Sequence, residues 1–558
     1  MANTNMTEDE KVLHGMGYAQ ELSRRMGTFQ SFAISFSIIC ILSGGLASFP
    51  IALSTVGPWM ATIGWVLGGI FALIVAASMG QIASAYPTAG GLYHWSSILG
   101  GKFWGWLTAW TNLLGLLFVI PAVNVILYGF IRDLFFSGIL HYDVSTWTNT
   151  TMYIWVAAIT AAQCLLNHFG IKLTTLLTDI SGYLIFVISI ILLVLLFSHV
   201  QSFDLGKAFA FVNTTGDAGG GVAPAYGTFV AVLMGMLYPL FTITGFDASA
   251  HTSEETRDAQ NTVHKGMLQS VFWSLVFGFL LALGMTMALP AVYTALAADP
   301  AQTALSKDVM AKLAAIPGGP SPADMAVLGW SSFSVLFNTL IAPTFLGKVC
   351  AVGIIIANFF CALSAVTSTS RMIYAFARDG GLPSMLANVN AAYRTPVAAI
   401  WFTGIVSFIL VVITTPLNAF AALSTGCAMY LYMSYGMPVL AGLFAEGKTW
   451  NTYGGFRLGG LSKLFAVIVT LGVVGIIIGG HAFVPSIAAV PADAAANPAV
   501  AGSSFVPGLW YYTVGFYAIL VIFWFAFVGK SFQGPPVGAE IAKRQAAIAA
   551  KERALAGQ

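Results

Sequence analysis

The chain has 558 residues, of which 58% are hydrophobic and only 8% charged, where a soluble protein carries roughly 25% charged residues. So few charges cannot cover a water-soluble domain of this size, so lipid must solvate most of the chain. A net charge of +2 with no basic tract gives no reason to expect nucleic acid as a partner.

Residues 1–28 are polar and lack the short apolar run and cleavage site of a signal peptide, so they read as a cytosolic tail. Apolar segments near the 20 or so residues that cross a bilayer then follow at 29–53, 57–84, 103–130, 150–168, 173–198, 226–251, 267–290, 347–375, 397–414, 417–444, 462–483 and 507–529. About twelve spans put both chain ends on one side. The positive-inside rule sets which side. With the N-terminus inside, inner segments hold eighteen of the 23 Lys and Arg, including Arg24, Arg25, Arg257, Lys265, Arg371, Arg378, Arg394, Lys463, Lys543 and Arg544. Outer segments hold Arg132, Lys207, Lys307, Lys312 and Lys348. The outer loop 291–346, rich in Ala, Pro and Ser, has room for short helices. The transmembrane domain occupies 29–530, and 531–558 reads as an Ala-rich cytosolic helix. A cell (plasma or inner) membrane location is expected. Cys40, Cys164, Cys350, Cys361 and Cys427 all lie in apolar stretches, odd in number and without Cys-x-x-Cys, so neither a disulfide nor a metal site is expected.

Two spans are anomalous. The first is interrupted by Ser43-Gly44-Gly45, the sixth around Thr242-Ile243-Thr244-Gly245-Phe246-Asp247. Glycine weakens a helix interior by ~1 kcal/mol relative to Ala, and an intramembrane Asp costs ~3 kcal/mol on insertion scales. Interrupted helices at matching positions of two halves point to a transporter site. Glycine that only permits close helix packing is the plainer reading, and Gly64–Gly68 and Gly475–Gly479 are read that way.

At these breaks the sequence resembles the amino acid–polyamine–organocation superfamily, in its amino acid/choline transporter branch, which includes permeases for 4-aminobutyrate and choline. The resemblance rests on five stretches in order: Ser43-Gly44-Gly45; Ser84 to Trp95; Gly245 to His251 with Glu254-Glu255-Thr256; Ser368 to Pro383; and Tyr430 to Pro438. It implies an all-α integral membrane fold with a five-plus-five inverted repeat, LeuT-like, and two additional helices. It also implies a secondary active transporter of a 4-aminobutyrate-like or other zwitterionic amino acid, with a choline or polyamine carrier as the alternative.

A break frees backbone groups that only a ligand, ion, water or protein can satisfy. N–H groups around Ser43, Gly44 and Gly45 are expected to take a substrate carboxylate. Carbonyls near Ile41 and around Phe241, Thr242 and Thr244 are expected to take its ammonium. Gly245 lets a ligand approach the backbone. The resemblance makes Phe246 an aromatic lid. Asp247 is a charge inside a span, which marks a pathway or a partner. His251 follows by one helical turn and either titrates at physiological pH or lies idle. Asp179 is read as structural. Glu254, Glu255, Arg257 and Arg378 form either an inner gate or solvated surface charge.

Proton or sodium coupling is left open. Superfamily relatives bind sodium between helices 1 and 8 or place a basic side chain of helix 5 there. The corresponding place, Tyr183–Ile185, has no Lys or His, while Ser364, Thr367 and Ser368 supply hydroxyls for an ion site. A quaternary ammonium would want an aromatic cage, for which Tyr430, Tyr432, Trp110 and Phe246 are available. No cofactor is called for. An enzyme is disfavoured: there is no His-Glu-x-x-His, Gly-x-Ser-x-Gly or Walker motif.

Overall fold

A computed structural model describes residues 6–217, 221–222, 225–298, 307–390, 392–415, 419–488, 509–536 and 539–556. Among these residues there is no strand, only isolated bridges between Met26 and Thr256 and between Glu446 and Trp450. All five cysteines are buried free thiols.

Eleven of the described helices are long and apolar enough to cross a membrane. Ten of them coincide with expected spans. Two expected spans miss that measure for local reasons: Asn149–His168 is diluted by Thr, Gln and Asn, and the sixth is broken, its longest apolar piece being Thr228–Thr242. The extra helix, Asp324–Ile341, lies in the expected outer loop. It is kinked at Gly329 (φ 50°), and its Asn338 donates to the Asp133 carbonyl (3.0 Å) at the far end of the third span. It therefore caps one face of the bundle. We number the spans α1 (28–53), α2 (Met60–Ala85), α3 (Lys102–Ile139), α4 (Asn149–His168), α5 (Ile171–Ser198), α6 (228–251), α7 (Ala259–Ala298), α8 (Phe345–Arg378), α9 (Val397–Thr414), α10 (Ala419–Ala445), α11 (Ser462–Ala488) and α12 (509–528).

α5 shows how sequence becomes placement. Leu176, Ile180, Tyr183, Val187, Ile190 and Val194 recur every three or four residues and all are exposed, as a lipid-facing stripe requires. Thr174, Thr178, Ser181, Gly182 and Ser189 form the opposite, buried face, where small residues let helices approach. α1 and α6 run through the centre. Every residue from 31 to 53 except Ala47 is buried, and so is every residue from 237 to 256. α12 is largely exposed at the periphery, against α11.

The tail folds back onto one end of the bundle, here the N-terminal face. Its helix Glu8–Gly15 is capped by Thr7 and Glu10, and Leu13, Tyr18, Leu22 and Met26 are buried. The helix Ala539–Ala556 meets it: His14 lies 2.8 Å from Glu552.

Candidate functional site

Both central helices are interrupted, but the first break is not where the glycines predict. The non-helical residue is Cys40 (φ 21°, ψ 86°). Ile41–Gly45 follow as one widened π-helical turn. The Ser43 and Gly44 N–H groups both bond the Cys40 carbonyl (2.7 and 3.2 Å), so in this conformation protein already satisfies two of the donors expected to face a carboxylate. Gly44 is needed for a neighbour: a Cβ there would come within 3.0 Å of Thr242 Oγ1 and 3.1 Å of its Cα. Gly45 faces Trp65, Ile41 and Thr242 more loosely, at 3.5 to 3.8 Å.

The second break lies at Ile243–Asp247, between Leu237–Thr242 and Ala248–His251. Gly245 has φ +80°, and a Cβ there would strike Ile38 of α1; only glycine meets both demands. The two breaks thus lock into each other, through Gly44 against Thr242 and Gly245 against Ile38.

Side chains, most of them from other helices, occupy the freed groups. Tyr432 donates to the Ile243 carbonyl (2.7 Å), Thr244 Oγ1 to Phe241 (2.8 Å) and Ser35 Oγ to Phe246 (2.8 Å). The Gly245 N–H donates to the Tyr435 hydroxyl (3.0 Å), which donates to Asp247 Oδ1 (2.8 Å). On α1, Asn358 of α8 donates to Leu42 (3.3 Å) and Cys361 to Ile38 (3.1 Å). A carbonyl has two lone pairs, so these bonds leave room for a further donor. Phe246 is fully buried, its ring against Tyr435 (4.8 Å).

Asp247 is fully buried and well supplied. Besides Tyr435, its Oδ2 faces Asn112 Nδ2 (3.3 Å) and His251 Nε2 (3.2 Å). Asn112 and Tyr435 were missing from the expected site. Asn112 could have been found as one of only two amide side chains, with Asn124, in an apolar span; Tyr435 lies within the Tyr430–Pro438 stretch but carries no local mark. Asp179 accepts from Gln30 (2.8 Å), a structural tie between α5 and α1.

At the expected ion site, Thr367 donates to Asn167 Oδ1 (2.6 Å), while the buried hydroxyls of Ser364 and Ser368 have no partner. The four aromatics proposed as a cage do not assemble into one. The Tyr430 hydroxyl pairs with Thr513 of α12 (2.9 Å), and Trp110 packs on Trp106 and Phe376.

The N-terminal face is closed by buried charge. Arg378 grips Glu254 with two bonds (3.0 and 2.9 Å), and Arg371 grips Glu255 (3.1 Å twice). Glu254, Glu255 and Arg371 are inaccessible, so this is not a solvated surface cluster. Arg257, expected to join it, is exposed, because the chain turns at Thr256 and only its backbone N–H is used, by Met26 (2.8 Å). Asp379 receives Tyr18 (2.8 Å), Tyr93 (3.2 Å) and His94 Nε2 (3.0 Å). Burial drives the Glu254 and Asp379 carboxyls up, but Arg378 for Glu254, and the His94 bond and charge for Asp379, outweigh it and hold both below the ordinary range. At Glu255 burial prevails over Arg371 and the carboxyl is raised.

The opposite face is open. A cavity of about 240 Å³ bounded by Ala47, Tyr128, Trp330 and Phe420 reaches two residues beyond Gly45, and Phe420 packs edge-on to Phe241 (5.9 Å). A wider cavity of about 690 Å³, lined by Arg132, Asp133, His141 and Lys348 among others, adjoins it.

The chain is similar to amino-acid permease BAT1 of Arabidopsis thaliana, 30% identical over 84% of this chain and 87% of that one. It is 25% identical to the GABA-specific permease of Saccharomyces cerevisiae, over 72% of this chain and 66% of that one. The solved structure of MhsT in complex with L-phenylalanine matches with a TM-score of 0.51 at 12% identity, covering 83% of this chain and 99% of that one; this likeness shows the LeuT-like fold. The sequence model of the family described as amino acid permease matches residues 26–478. That match starts just ahead of α1 and ends inside α11, taking in both breaks and the buried ion pairs, and it places the chain in the amino acid permease family of the amino acid–polyamine–organocation superfamily, as a multi-pass membrane transporter of amino acids.

Proposed function

We propose that this permease is a secondary active transporter that moves a zwitterionic amino acid of the 4-aminobutyrate kind by alternating access. One observation supports this above all: the interlocked breaks lie between a face sealed by buried ion pairs and a face whose cavity descends to Ala47 and Phe420. That is the arrangement of a carrier closed on one side and reachable from the other. The N-terminal face is the cytoplasmic one, on the excess of Lys and Arg there, and the membrane is the cell membrane.

The ligand's carboxylate is assigned to the turn after Cys40, where the buried Ser43 hydroxyl has no protein partner, and its ammonium to the carbonyls near Ile41 and along Phe241–Thr244, beside Asp247. Gly44, Gly45 and Gly245 serve the approach of α1 and α6, and Phe246 shields the site from the N-terminal face. The likeness to a GABA-specific permease and the acid in the wall both favour an ω-amino acid. Ser364, Thr367 and Ser368 stand as the ion site of the alternative, sodium-coupled carrier. The choline reading loses its cage, since Tyr430 and Trp110 face elsewhere.

The test is uptake by purified protein in proteoliposomes, with labelled 4-aminobutyrate, other amino acids, choline and putrescine, under proton and sodium gradients imposed separately. Gradient-driven accumulation of an amino acid supports the reading; choline or putrescine accumulating with no amino acid uptake would overturn it.

A further inference from the structure

Two contacts on His251 locate a proton. Its Nδ1 lies 3.1 Å from the Ala89 carbonyl, which can only accept, so Nδ1 carries its hydrogen. Its Nε2 lies 3.2 Å from Asp247 Oδ2. A neutral ring protonated on Nδ1 would turn a lone pair toward a carboxylate. The contact is attractive only with one proton between the two atoms, as imidazolium on carboxylate or as carboxylic acid on imidazole. Either way the pair holds one proton and has no net charge. Both side chains are fully buried, where a lone charge is strongly disfavoured.

The other end of His251 leads to the gate. The Ala89 carbonyl takes its Nδ1–H, and the Ala89 N–H donates to Glu254 Oε1 (3.1 Å), the carboxylate held by Arg378. Gly91 lets the 86–91 loop lie on the ring: a Cβ there would be 3.3 Å from Nδ1. One unbroken series of contacts therefore joins the second break to the closed face. No basic side chain of α5 competes for this role, because Lys172 is exposed in the first turn of the helix, Tyr183 points outward and Ile185 is apolar.

We propose that Asp247 and His251 together form the coupling-proton site of this transporter, and that His251 passes its state to the gate through the Ala89 peptide. The proposal rests on the transport reading above. Carboxylate and neutral imidazole take up one proton from water on the open face to give the neutral pair, and release to water on the opposite face, once that face opens, reverses it; no other bond changes. Without the proton, Nε2 and Oδ2 repel, the ring leaves Ala89, and Glu254 loses the N–H that helps orient it toward Arg378. The other titratable or charged groups facing the pair are Tyr435 and Cys427 from α10, and, toward the gate, Glu254 and Glu255 with Arg378 and Arg371 of α8. α1 and α3 contribute only Ser35, through Ser249 (2.7 Å), and Asn112. His94 turns to Asp379 instead. Phenol and thiol ordinarily titrate above pH 8, whereas an imidazole ordinarily titrates between about pH 5 and 8.

The experiment compares wild type, His251→Gln, Asp247→Asn and the double variant in proteoliposomes, with 4-aminobutyrate or whichever amino acid of the panel is transported fastest. Wild-type accumulation should follow an imposed pH gradient. His251→Gln should lower gradient-driven accumulation about tenfold more than homoexchange and flatten the profile between about pH 5 and 8. The double variant should be no worse than the poorer single one, as for residues acting as a unit. A wild-type protein driven by sodium and indifferent to pH, or a His251→Gln variant with the wild-type profile, would overturn the proposal. Should that variant fail to fold, the wild type decides: adding the amino acid to unbuffered solubilised protein should displace about one proton equivalent per site, and no displacement sinks the idea. Wild type that moves no amino acid at all refutes the transport reading itself, a different outcome from lost coupling.

Discussion

Thr242 stands against Gly44 so closely that a single added carbon on the glycine would meet both its side chain, at 3.0 Å, and its Cα, at 3.1 Å. Gly44→Ala should therefore cost about 1–3 kcal/mol through overpacking and cut uptake several-fold, and Gly44→Leu should abolish it. Thr242→Ala removes only the side-chain clash, so it should restore Gly44→Ala in part. Uptake and thermal denaturation in detergent measure both effects; full activity of Gly44→Leu would show that the two breaks need not stay in contact.

Tyr435 serves two masters at the second break, accepting from the Gly245 N–H and donating to Asp247. Tyr435→Phe leaves a buried N–H and a carboxylate oxygen each short of a partner, which costs about 1–3 kcal/mol per group. We expect a large fall in uptake with normal insertion. A wild-type rate in this variant would mean that water readily replaces the phenol.

Arg378 and Glu254 form a buried pair, and removing one partner strands the other. Glu254→Gln should cost about 3–5 kcal/mol, while Glu254→Leu with Arg378→Met should recover much of that stability. The double variant should still transport poorly in the concentrative direction, since a gate must close reversibly. Melting temperature and net accumulation, read side by side, check this; equal accumulation in the apolar double variant would make the pair a structural rivet.

Tyr430 faces α12 through Thr513, away from the breaks. Tyr430→Phe removes one buried hydroxyl bond remote from the breaks, so it should leave apparent substrate affinity within about twofold, as distant sites act independently, and should not change competition by choline. A marked loss of affinity would return Tyr430 to the site.

The spans were legible because lipid demands long apolar runs, and the pairing of α1 with α6 was legible because Gly44, Gly45, Gly245 and Asp247 are expensive in such runs. The location of the first break was not. Cys40 takes its unusual backbone between Ile38 and Leu42, which are held by Gly245 of α6 and by Cys361 and Asn358 of α8, and nothing in an apolar cysteine announces that. The glycines beside it mark close approach, which in a membrane looks the same as a break. The gate was half legible: Glu254 and Arg378 stood out, but whether Arg257 or Arg371 answers Glu255 depends on how the chain turns after α6. The partners of Asp247 come from α3 and α10, and among 19 tyrosines local sequence does not single out Tyr435.

The clasp of His14 with Glu552, and of Arg544 with Asp379 (3.7 Å), ties both chain ends to the face closed by the buried ion pairs. A fluorescent donor and acceptor fused to the two ends would therefore sit over the gate and separate when it opens, giving a transport cycle that can be watched in single molecules without touching a residue of the bundle.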